Sequence, residues 1–347
     1  MIKCKRRMPA EWEPQSAVQL TMPHEHTDWA PILPEILAVY EEMKREISKH
    51  EPLIIVDDIP HNDTWARDHG FITVVEGSKV EGQRSKVEGQ RSKVEGQRSK
   101  VILLDFCFNG WGEKFPAELD NEINRHLYER GLVKGIYEPH LGFVLEGGSI
   151  ESDGKGTIFT TQCCLMAPHR NQPLTKEEIE ERLKEWLGAK RIVWLQHGSL
   201  IGDDTDGHID TLVRIAPNDT IIYTGGDDDH PDLVEMEKEL KELRTMEGKP
   251  YRLLRLPLPR PIYEAGDRRP ETGDRRQKAG DRLPATYANY LVINGAVLVP
   301  TYNQPDLDAE AMRIIGEAFP DREIVGIDCR AVIKQHGSLH CCTMQYY

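Results

Sequence analysis

The chain has 347 residues, 39% of them hydrophobic, and its 58 Asp and Glu outweigh 44 Lys and Arg to give a formal net charge of −14. A length of this order fits one large α/β domain or two average ones. The acidic balance argues against nucleic acid and favours cationic ligands, and no apolar run approaches the roughly 18 residues of a membrane span.

The first residues, MIKCKRR, lead into Pro9, Glu11 and Glu13 and not into an apolar stretch, so no secretory signal is expected and the location expected is cytoplasmic. Seven cysteines (4, 107, 163, 164, 329, 341 and 342) form two vicinal pairs and no C-x-x-C. That pattern predicts reduced thiols, with neither a disulfide framework nor a ribbon-type zinc site.

In chain order, residues 17 to 22 read as a short strand. From Pro31 to Lys49 apolar residues recur at helical spacing with charges opposite them, which predicts an amphipathic helix. A buried strand at 53 to 56 precedes a polar loop holding Trp65 and Asp68, and two strands follow at 71 to 75 and 101 to 106. Between these two lies SKVEGQR, repeated three times from Ser78 with a partial fourth copy. One Val per heptad and a Gly in every copy leave no coiled-coil seam, so the segment at about 78 to 100 reads as a polar insertion at a hairpin tip, where added length costs little. A second period-seven tract, at about 264 to 282, has the same character. Neither tract is expected to carry catalysis.

A helix is expected over 118 to 130, then strands FVLEGGSIE and GTIFTTQ joined by the turn Asp153-Gly154-Lys155-Gly156. Thr175 and Glu178 form a capping box ahead of Ile179, Leu183 and Leu187. The strand RIVWL follows, then IDTLVRI and TIIYT around Pro217-Asn218-Asp219, a helix from about 231 to 246, and the strand YRLLRL. Asn294-Gly295 marks a further hairpin, completed by a helix over 306 to 318 and the strand EIVGI. These make four units of hairpin, helix and strand. A fifth forms if the C-terminal HCCTMQ pairs with the N-terminal AVQLTM. Five similar units whose ends meet imply a ring. The expected fold is therefore α/β, a single-domain five-bladed pseudosymmetric propeller closed by its terminal strands. In that register Asp68, Glu146, His208 and Cys341 all fall near the first strand of a hairpin and converge on the axis.

The segments NDTWARD, LEGGSIESDG, GDDTDGHIDT, LPATYANY, VPTYNQP and GSLHCCTMQ, in this order, resemble the agmatine-deiminase branch of the Porphyromonas-type peptidylarginine deiminase family of guanidine-modifying (pentein) enzymes. The resemblance covers nearly the whole chain apart from the two repeat tracts. It implies a five-fold pseudosymmetric α/β propeller and hydrolysis of a small guanidinium substrate such as agmatine to N-carbamoylputrescine and ammonia, on the route to putrescine. No metal or other cofactor is implied.

The residue types suit that chemistry. A guanidinium stays charged up to a pKa above about 12, and carboxylates best hold its planar N–H fork. The resemblance assigns that role to Asp68 and Asp210, with Trp65 stacking on the cation. It makes Cys341 the nucleophile, activated in part by the bound cation. His208 becomes the acid and then the base, and Glu146 the group that orients and charges it. Strand alternation turns Cys342 to the opposite face, where it is expected to be packed and inert, and Cys163 and Cys164 are expected to be core thiols. Taken singly, each residue has an ordinary reading: an Arg67–Asp68 salt bridge, a loop cap at Asp210, a solvent-facing Glu146, a core Trp65.

Arginine and peptidyl-arginine present the same guanidinium and remain alternative substrates. A zinc hydrolase using His208, Asp210, His340 and Cys341 and a non-catalytic polyamine-binding ring are the rival classes. A homo-oligomer is compatible with the sequence.

Overall fold

A computed structural model describes residues 5–77, 99–264 and 282–347. Both expected heptad insertions lie essentially outside these residues. The first is flanked by Ile72–Gly77 and Lys100–Cys107, which pair antiparallel, with Glu76 opposite Lys100. The insertion therefore enters and leaves at the open end of a hairpin.

The fold is mixed α/β and repeats one motif five times. Each unit has an antiparallel pair of strands, and the second strand of the pair continues through a helix to a third strand lying parallel to it. In the first unit these strands are Ile72–Gly77, Lys100–Cys107 and Ile136–Val144, with Lys5–Arg7 added at the outer edge. The second unit has Ile150–Ser152, Thr157–Thr161 and Arg191–Leu195. The third has Val213–Ala216, Thr220–Thr224 and Arg252–Leu256. The fourth has Leu291–Ile293, Ala296–Thr301 and Glu323–Asp328. The fifth is assembled from both ends of the chain, because Thr343–Tyr346 pairs antiparallel with Ala17–Thr21, which runs parallel to Leu53–Val56.

Each crossover helix buries one stripe. Leu33–Ile47 turns Ile36, Val39, Tyr40, Met43 and Ile47 inward, at the three- and four-residue steps that share a helix face. Lys176–Leu187 begins with the expected capping box, Thr175 with Glu178, and buries Ile179, Leu183 and Leu187. A fully buried side chain of this kind contributes about 1.5–3 kcal/mol, so each helix is held mainly by its sheet. The largest apolar cluster joins the fourth and fifth units, through residues such as Leu20, Tyr40, Leu298 and Ile315. The unit made from the two termini is thus part of the main core.

Four expectations need correction. The strand Ile136–Val144 was not foreseen: its side chains are mostly exposed or half-buried and Pro139 interrupts it, as an edge strand allows. FVLEGGSIE is not one strand, since Gly147–Ser149 forms a 3-10 turn between the end of one sheet and the start of the next. IDTLVRI likewise opens with a 3-10 turn at Ile209–Thr211. The helix expected to reach 246 stops at Glu242, because Leu243 turns extended.

Candidate active site

Asp68, Glu146, His208 and Cys341 all lie in connections that lead into the first strand of a unit. Asp68 sits in the one-turn helix Ala66–His69. Glu146 and His208 each stand immediately before a 3-10 turn, and Cys341 lies in a turn two residues before Thr343. These equivalent positions bring residues far apart in sequence together.

Around Gly148 three of the candidate residues, Asp68, His208 and Asp210, come together. A methyl group at the Gly148 Cα would stand 2.6 Å from His208 Nδ1, 3.0 Å from Asp68 Oδ1 and 3.2 Å from Asp210 Oδ2. Its backbone N–H donates to Asp68 Oδ1 (3.1 Å), and the indole N–H of Trp111 donates to Asp68 Oδ2 (3.0 Å). His208 Nδ1 lies 3.7 Å from Asp68 Oδ1, and among the described residues neither of its ring nitrogens has a hydrogen-bond partner. Asp210 pairs through Oδ2 with Nδ1 of His340 at 2.7 Å, leaving Oδ1 unpartnered among the described residues.

Of the solitary readings, the Arg67–Asp68 salt bridge and the solvent-facing Glu146 are not what the structure shows, whereas Trp65 is a core residue as well as part of the cavity wall. Arg67 turns away from Asp68: its guanidinium donates to Gln345 Oε1, while its backbone N–H donates to the carbonyl of Cys341. That second bond ties the NDTWARD loop to the thiol-bearing turn. Glu146 is fully buried, and its Oε1 accepts from Nε of Arg170 at 2.7 Å. Its influence on His208 is through charge, since no hydrogen bond joins them. Trp65 lines the cavity while its indole N–H donates to Asp63 (3.0 Å), and its ring meets Trp29 and Trp111 at centroid distances of 5.6 and 6.4 Å. Cys342 is buried as expected, its thiol donating to the Ser338 carbonyl (3.4 Å), but it belongs to a turn, so strand alternation does not set its direction. Cys163 is exposed, against expectation, while Cys164 is buried. Both lie in the short helix Gln162–Leu165, where consecutive side chains diverge by about 100°.

The electrostatics set these groups apart. Burial raises the carboxyl of Asp68 to about 6; Asp210 and Glu146 push the same way, while His208 and the Trp111 N–H oppose. At Asp210 burial also pushes upward, but the His340 hydrogen bond and the charges of His340, His208 and Arg214 hold it below the ordinary value. Burial disfavours the His208 imidazolium, yet Asp68, Glu146 and Asp210 outweigh it and raise its pKa. Burial drives the Cys341 thiol well above the ordinary range, and Asp210 and Asp68 drive it further. In this arrangement of protein groups Cys341 is therefore a neutral thiol.

Above these groups is a cavity of about 550 Å³ with Asp68 and Cys341 in its lining. Four further carboxylates, Asp28, Asp63, Asp203 and Asp204, share the wall with Trp65, Trp111 and Phe115. The four donors of a zinc reading do not assemble. Among the described residues the donor groups that converge are Glu146 with Cys164 and His208, and Glu11 with Glu151 and His340; neither contains Cys341 or Asp210.

Trp111, Gly148, Arg170 and Asn289 were not singled out from the sequence. GWG at 110 to 112 was a visible signal, because an aromatic between two glycines in a polar loop is unusual; Trp111 adopts φ 56° there. The other three act through partners distant in sequence.

An acid-lined and aromatic cavity bordered by the Cys341 thiol and Asp68, with His208 and Asp210 clustered beside Asp68 around Gly148, can hold a planar cation and present its central carbon to sulfur. The family model of Porphyromonas-type peptidyl-arginine deiminases matches residues 7–346. The chain belongs to that family. A Porphyromonas gingivalis structure that carries the provisional name arginine deiminase is 45% identical with a TM-score of 0.83, over 99% of this chain and 98% of its own. The C. jejuni agmatine deiminase, solved with substrate bound as a variant in which a cysteine is replaced by serine, is 32% identical with a TM-score of 0.83, covering 100% and 98%. A Vibrio parahaemolyticus protein provisionally named agmatine deiminase is 34% identical over 97% of this chain and 95% of its own.

Proposed function

We propose that this protein hydrolyses agmatine to N-carbamoylputrescine and ammonia through a covalent adduct on Cys341. The observation that carries the reading is the cavity, where a neutral thiol and Asp68 face a space walled by further carboxylates, with Asp210 buried beside His208.

The guanidinium enters between Asp68 and Asp210, whose oxygens accept its N–H groups, while Trp65 and Trp111 flank the cation. Its charge offsets the field of Asp210 and Asp68 that adds to burial in keeping Cys341 protonated, so binding itself favours release of the thiol proton to solvent and formation of the thiolate. Sulfur then attacks the guanidinium carbon, giving a tetrahedral adduct. The C–N bond breaks as His208, held as an imidazolium by Asp68, Glu146 and Asp210, delivers a proton and ammonia leaves. A thiouronium remains on Cys341. Water attacks the same carbon and His208 takes one of its protons; the C–S bond then breaks as the remaining hydroxyl becomes the product carbonyl, its proton passing to the departing sulfur to restore the thiol. The net change is one water consumed and one ammonia released. Arg170 donates to Oε1 of Glu146, and Oε2 has no hydrogen-bond partner among the described residues.

The wall selects the distal end of the substrate. Agmatine carries an ammonium there, which suits Asp28, Asp63, Asp203 and Asp204, whereas arginine would bring a carboxylate against them. Arg282 also borders the cavity, but its Nη1 is 3.9 Å from Asp229 Oδ2, so part of its charge is engaged there. The C. jejuni relative is an agmatine deiminase by name. The provisional name of the Porphyromonas gingivalis relative favours arginine as the second reading.

The five units are read as five blades around one pseudo-fivefold axis within a single domain, with the site at one end of the axis. No helix among the described residues is long and apolar enough to cross a membrane; the cytoplasmic location is proposed from the sequence. Ammonia release from agmatine, free arginine and a blocked arginine peptide, measured side by side, tests the function. Agmatine should exceed the others by at least about tenfold, the worth of one unfavourable charge contact. Faster turnover of arginine would transfer the assignment to the second reading, and no ammonia from any of them would leave only a binding protein.

A further inference from the structure

Asn289 is fully buried beside Cys341 and makes four contacts that together fix which way its amide faces. Its Oδ1 accepts from the backbone N–H of His340 (2.9 Å), the backbone N–H of Cys341 (3.4 Å) and the Cys341 thiol (3.4 Å). Its Nδ2 donates to the carbonyl of Asp210 at 3.5 Å. The reverse orientation would set an NH₂ group against two N–H donors, so these amides hold the oxygen toward sulfur. An oxygen there accepts from S–H but repels a thiolate lone pair.

We propose that Asn289 is a positioning residue that latches Cys341 as a protonated thiol until a cation occupies the site. The idea rests on Cys341 being the nucleophile. Asn289 would then aim the sulfur and hold back its nucleophilicity. The ionisable groups facing the thiol are Asp68, Asp210, Cys342 and Tyr302. None of these four is a cation, and the positive charge of His208 is already engaged by Asp68, Glu146 and Asp210. The substrate supplies the missing positive charge, and the thiol becomes reactive only when there is something to attack. Such a latch would protect a free thiol from adventitious alkylation and oxidation between turnovers.

The test is the pH dependence of Cys341 alkylation by iodoacetamide, followed by peptide mass spectrometry on the intact protein without substrate. Asn289→Ala removes the acceptor and should lower the midpoint by about one pH unit, so alkylation near neutrality quickens about tenfold. Asn289→Asp keeps the shape, sets a charge against sulfur and should raise the midpoint. Opposite movements separate the latch from simple loosening, which would raise the plateau rate in both variants and leave the midpoint fixed. An unmoved or raised midpoint in Asn289→Ala, or an unmoved or lowered one in Asn289→Asp, would overturn the inference. Should Asn289→Ala fail to fold, the isosteric Asn289→Asp decides alone. Alkylation needs no turnover, so absence of ammonia release from agmatine by the unaltered protein would sink the proposed function without obscuring this result.

Discussion

Replacing Gly148 with alanine adds one carbon where three side chains of the site converge. The backbone at Gly148 does not need glycine, since its φ lies outside the left-handed region, so any effect comes from contact alone. The new Cβ would stand 2.6 Å from His208 Nδ1, whereas ordinary contacts begin at 3.4 Å; His208 must retreat by about 0.8 Å. Asp68 and Asp210, at 3.0 and 3.2 Å, leave no room on the other side. Misplacing a reacting group by about 1 Å costs on the order of 100-fold in rate, and overpacking a filled site costs about 1–3 kcal/mol of stability. The assay is steady-state ammonia release from agmatine, paired with a thermal melt. Gly148→Ala should lose about two orders of magnitude in kcat, while the control Gly142→Ala, whose Cβ meets nothing within 4 Å, should behave as the parent. A Gly148→Ala enzyme within about threefold of the parent would show that His208 and the two carboxylates need not hold this arrangement, and would refute the site as drawn.

The carboxyl of Asp68 binds protons more tightly in the fold, at about 6, than at its ordinary value of 3.8, so the fold is penalised as pH rises between them and carries up to about 3 kcal/mol of cost above pH 6. Asp68→Asn should therefore remove the fall in melting point between about pH 4 and pH 8 that this carboxyl gives the parent, and lose activity; an unchanged pH dependence of the melt would contradict this. For the parent, kcat/KM should climb through about pH 6 as Asp68 ionises, read from a pH–rate profile. Arg170 donates to Glu146 (2.7 Å), Asp206 (2.7 Å) and the Thr205 carbonyl (3.0 Å). Arg170→Ala should cost about 3–5 kcal/mol in denaturant unfolding, because it strands a buried carboxylate. Deleting Thr343–Tyr347 removes the strand paired with Ala17–Leu20 and should destabilise the whole protein, whereas Cys341→Ala should leave the melt unchanged and abolish turnover.

The repeating architecture was legible because strand and helix periodicities differ and because AVQLTM and HCCTMQ each lacked a partner until joined. The observed pairing sets Thr343 opposite Leu20. Ile136–Val144 carries no strand signature in the sequence because an edge strand has no need of the alternation that marks a half-buried one. The turns at Gly147–Ser149 and Ile209–Thr211 were hidden by apolar neighbours, Val144 and Leu145 on one side and Leu212 and Val213 on the other, that look like strand. Asp68, His208, Asp210 and Cys341 were picked for their chemistry and motifs, and the fold brings them together. Asn289 and Arg170 carry no such mark. Asn289 matters because it faces a thiol 52 positions away, and Arg170 because it holds a carboxylate 24 positions back.

The claim on which the rest depends is that sulfur of Cys341 bonds to the guanidinium carbon and that ammonia leaves before water arrives. Acid-quenching the enzyme during steady turnover of agmatine and weighing the intact chain tests it directly. A population heavier by agmatine less ammonia is expected, located to the peptide containing Cys341 and missing from Cys341→Ala. Undiminished ammonia release by Cys341→Ala, with no added mass on the parent enzyme, would contradict it.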